Sequence, residues 1–136
     1  MCTRRIFQIS TTGNADTINN VRKTERDIEH WKEMREIISE TRRQIREDIF
    51  APDHTDQKFM LCALIPGMIN QGLVRVDQLI AAGYLDQKAA TLSPSAKDSP
   101  HAFREHLKPT YGIMCDYLIN QINRHLNGLY HKFIPT

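Results

Sequence analysis

A chain of 136 residues, 40% hydrophobic and 25% charged, has the composition of one folded domain large enough to bury a core of its own. Its formal net charge of +2 is too small to imply a nucleic-acid or anionic-lipid partner on its own, and no apolar run approaches the roughly eighteen residues of a membrane span. Cys2, Cys62 and Cys115 are widely spaced, form no C-x-x-C pair for zinc or dithiol chemistry, and point to a reducing, cytoplasmic setting.

Residues 1–13 read as a polar N-terminal arm around a short cluster, Ile6, Phe7 and Ile9. Arg4, Arg5, the hydroxyl residues and the lack of acid through residue 15 also fit an organellar presequence. From Asp16 to Ile49 there is neither Pro nor Gly, and apolar residues recur mostly at steps of three, four or seven. This predicts one long helix over about 16–49, roughly 50 Å at about 1.5 Å per residue, capped by Asn14, Asp16 or Thr17. Placing Ile28 and Trp31 on its seam brings Thr24, Arg35 and Arg42 onto the same line, which suits a bundle helix better than a two-stranded zipper. Lys23 with Asp27, Lys32 with Glu36 and Arg43 with Glu47 are pairs four apart on a solvated face.

Pro52 ends that helix, and Asp53 or Thr55 can cap the next, expected over 56–71. Phe59 to Ile65 is apolar on every side, which predicts the buried centre of the fold, with Pro66 and Gly67 kinking or restarting the helix and Gly72 stopping it. Asp77 is the expected N-cap of a short helix, 77–82, closed by a left-handed Gly83 with Tyr84 and Leu85 packing back. Residues 86–92 add a further turn or two. The 93–100 stretch is a surface crossover loop, Ser99-Pro100 opens a short helix over 100–107, and Pro109 starts a last long helix over 109–131. Tyr111, Cys115, Leu118, Ile122, Leu126, Leu129 and Phe133 form its core stripe; Gly128 inside it costs about 1 kcal/mol relative to Ala, and a close helix crossing there would be a reason to keep it. The whole is an all-α, bundle-like single domain, 1–136.

No metal or cofactor motif is legible. His101 and His106 are five apart, which turns the second ring about 140° from the first on a helix. Read as a helix-turn-helix, 59–85 offers a recognition helix with no Lys or Arg, so nucleic acid is not an expected partner. Elimination leaves a non-catalytic accessory or regulatory protein that binds a protein partner, or a second copy, through a helical surface. Trp31, Met34, Arg35 and Ile38 are the candidate partner-binding residues, Trp and Arg being favoured interface anchors. Burial of Trp31 in the core is the competing reading.

Arg124 and His131 stand in an R-x6-H spacing. This resembles the R-x(4–6)-H motif of the HEPN ribonucleases, small all-helical proteins that cleave RNA as dimers. The resemblance covers eight residues and implies metal-independent cleavage, with His131 as general acid/base and Arg124 stabilising phosphate charge. Ordinary surface residues are the other reading of the same pair.

Overall fold

The computed structural model describes residues 15–47, 54–92 and 101–132. Among them are four α-helices: α1 (Ala15–Glu47), α2 (Thr55–Asn70), α3 (Val76–Ala81) and α4 (Tyr111–His131), with a 3₁₀ helix at Gln87–Thr91. No strand forms among these residues; Leu85 and Leu107 make one isolated antiparallel bridge. The chain is therefore an all-α bundle with a long first and a long last helix, as the periodicity predicts. The expected arm at 1–13, the Asn14 cap, the end of the first helix at 48–53, the 93–100 crossover and Phe133 lie outside the described residues, as do the side chains of Asp16 and Thr17.

The chain divides into two compact units, one of residues 1–36 with 122–136 and the other of residues 37–121. In the first, α1 contributes buried Ile28 and Trp31, and α4 contributes buried Ile122, Leu126 and Leu129. The rings of His30 and His125 meet the Trp31 indole edge-on, at centroid distances of 4.8 and 5.7 Å. Thr24 sits buried on the seam because its hydroxyl donates to the Asn20 carbonyl at 2.8 Å, so no polar group is stranded. Arg35 leaves the seam for Asn123, donating from Nη1 to Oδ1 at 2.9 Å.

In the second unit α2 buries Leu61, Cys62, Ile65 and Met68, and α4 buries Met114, Cys115 and Leu118. Arg42 of α1 forks onto the Asp116 carboxylate of α4, and Thr41 returns its hydroxyl to the Ile37 carbonyl at 2.8 Å. Both α2 and α3 end in the same glycine-dependent turn. Gly72 (φ 78°) and Gly83 (φ 88°) take the left-handed region, and the following Leu73 and Tyr84 amides each donate five residues back, to Met68 and Leu79. Pro66 neither stops nor restarts α2, which runs through it to Asn70. The residue preceding α2 is His54, itself left-handed at φ 52°, in place of an Asp53 or Thr55 cap. Helix α3 begins one residue before the predicted Asp77 cap, and the Asp77 carboxylate instead accepts the Gln78 amide at 2.9 Å inside the first turn.

Residues 101–106 form successive turns, not the short helix expected over 100–107. Their hydrogen bonds go across the fold: the Asp86 amide donates to the His106 carbonyl and the Lys108 amide to the Tyr84 carbonyl, both at 2.9 Å. His106 Nδ1 meets Asp86 Oδ1 at 2.9 Å, and the same carboxylate oxygen accepts the Lys88 amide that opens the 3₁₀ helix. These tertiary bonds satisfy groups that a helix would have paired internally. Helix α4 accordingly starts at Tyr111, two residues beyond Pro109. On α1, Lys23–Asp27 and Arg43–Glu47 pair at 3.0 Å as expected, but Lys32 turns back to Glu29 at 3.7 Å instead of forward to Glu36. That is the acid-first order, the more favourable one along a helix.

Candidate interaction surface

The residues singled out on α1 separate by burial. Trp31 is 3% exposed and Ile38 0%, so both are core; Met34 and Arg35 are half-buried, and Arg35 is held by Asn123. Their spacing of three and four does place them along one stripe, but its deepest members already pack inside the chain. Arg124 and His131 are both exposed on α4. A separation of seven residues returns them to nearly the same face, about 10 Å apart along the axis.

A different surface emerges on α2. The run from Phe59 to Ile65, expected to be buried all round, is not: Leu61, Cys62 and Ile65 are core, but Phe59 is 46% and Met60 40% exposed. Ala63 and Gly67 are exposed as well, and Leu64 is half-buried. At about 100° per residue, Phe59, Met60, Ala63 and Gly67 fall within an arc of about 100° and extend about 12 Å along the axis. Exposed Asp56 and Asn70 close this apolar stripe at its two ends. A Cβ built on Gly67 meets nothing within 4 Å, so the stripe is open beside it. The Arg104 guanidinium lies over the Phe59 ring, 5.7 Å from its centroid, and the His101 ring is 6.0 Å away. Aromatic, methionine and arginine side chains are enriched at the centres of protein interfaces. Ile113, 63% exposed at the start of α4, is a single exposed apolar side chain, as globular surfaces commonly carry.

Burial raises the Cys62 thiol to about 11 and the Cys115 thiol to about 12, so both remain protonated and inert near neutrality. Burial also tends to raise Asp86, but its hydrogen bond and charge interaction with His106, aided by the Lys88 and Ala89 amides, leave it below the usual carboxylate range. His125 is lowered, first by desolvation against the Trp31 side of the helix pair, with Asp27 opposing and Lys132 assisting. Among the described residues no group of three His, Cys, Asp or Glu side chains gathers to hold a metal ion, and no helix is long and apolar enough to cross a membrane. A shallow groove of about 460 Å³, lined by Ile69, Val74, Val76 and Ala90, is rimmed by Arg75 and Asp77, which are paired with each other.

These features define an all-helical bundle that carries, among its described residues, an open apolar helix face. The chain matches no model of a known protein family, no curated protein and no solved structure.

The α2 face was within reach of the sequence. A helix that packs on one side carries one apolar stripe, whereas α2 has apolar residues all the way round between Phe59 and Ile65. Complete burial and one face left open for a partner produce the same pattern. Only the placement of neighbouring elements separates them.

Proposed function

We propose that this protein is a non-catalytic accessory or regulatory factor that works by docking a protein partner on the exposed apolar face of α2, with Phe59 and Met60 as anchors. The observation that carries the reading is that two large apolar side chains, each at least 40% exposed, lie on one helix face with exposed Ala63 and Gly67 beside them. Covering what remains of each large side chain contributes on the order of 1 kcal/mol, about half of its full burial. That is a modest increment for a specific, reversible contact. The partner-binding role moves from Trp31 and Ile38, which are core, to α2; Met34 and Arg35 remain as half-exposed neighbours on α1. Two free, buried thiols suit a cytoplasmic, reducing environment.

The test compares wild-type protein with the double variant Phe59→Ser, Met60→Ser as affinity baits in extracts of the native source. The expected result is a stoichiometric protein captured by the wild type and lost with the variant, while circular dichroism and urea midpoint stay close to wild type. Undiminished capture by a folded variant would refute this role for α2.

A further inference from the structure

We draw no further inference here: the strongest candidate, the exposed apolar face of α2 around Phe59, Met60, Ala63 and Gly67, belongs to the docking site already proposed, and nothing in the structure shows what covers it.

Discussion

Gly67 and Gly128 offer a direct test of the stability of each compact unit. Each glycine lies in the interior of a helix, is exposed, and has nothing within 4 Å of the position a Cβ would occupy. Glycine in such a place costs about 1 kcal/mol relative to alanine, because the unfolded chain has more freedom to lose. Gly67→Ala and Gly128→Ala should therefore each stabilise by up to about 1 kcal/mol, with no clash to set against the gain. For a chain of this size that corresponds to a rise in Tm of roughly 3–5 °C.

The two glycines lie in different units, Gly67 in the second and Gly128 in the first. If the molecule unfolds as one cooperative body, either substitution raises the same transition, and the double variant shows the sum, about 2 kcal/mol, as expected for sites that share no partners. If the units unfold separately, each substitution moves one transition and leaves the other in place. Calorimetry and urea denaturation monitored by the single tryptophan, Trp31, distinguish these outcomes, since Trp31 reports the first unit. A loss of stability in either variant would refute the reasoning, because it would mean that the helix surface beside that glycine is already occupied. For Gly67 the same result would remove the open middle of the proposed docking face.

Three further expectations follow from the core and its charges. Trp31→Ala should cost about 3–5 kcal/mol, the usual penalty for deleting a large buried aromatic; near-native stability by urea denaturation would show that the indole is not core. Desolvation lowers the folded-state pKa of His125, so its contribution to stability is fully present above about pH 6.5, its ordinary value, and falls away as pH drops through the lowered folded value. His125→Gln should accordingly flatten the pH dependence of the urea midpoint below pH 6.5, and an unchanged profile would count against a desolvated neutral imidazole. Asp116→Asn, which breaks the Arg42 fork on a half-exposed carboxylate, should cost less than about 1 kcal/mol and less still in high salt; a loss several times larger in urea denaturation would mark that pair as structurally central.

What the sequence made legible follows the strength of its periodicity. Absence of Pro and Gly between Asp16 and Glu47 was enough to define α1, and the stripe from Cys115 to Leu129 defined α4 as a helix with one buried side. Gly72 and Gly83 announced their turns because the left-handed conformation leaves few other residues to use. Segment 101–107 was illegible for the opposite reason. Ser99-Pro100 signals a helix start locally, but the carbonyl of His106 and the amide of Lys108 find partners at Asp86 and Tyr84, far away in sequence. Gly128 carries no such signal: a close crossing would have given a reason for it, and the space beside it is open.

The same limit governed the candidate site. Trp31 and Arg35 attract notice by residue type, yet type does not reveal that His30 and His125 close around the indole, or that Asn123 takes up the guanidinium. Conversely, Phe59 and Met60 were assigned to the core because hydrophobicity alone cannot count how many neighbours a helix has. A helix apolar on all sides states how much cover it needs, and the folded chain states how much it receives. In α2 the buried side is formed by Leu61, Cys62 and Ile65, while the Phe59–Gly67 side is left with a cation over one ring and open space beside its glycine. The difference between the cover required and the cover supplied is the physical basis for proposing a partner at this face.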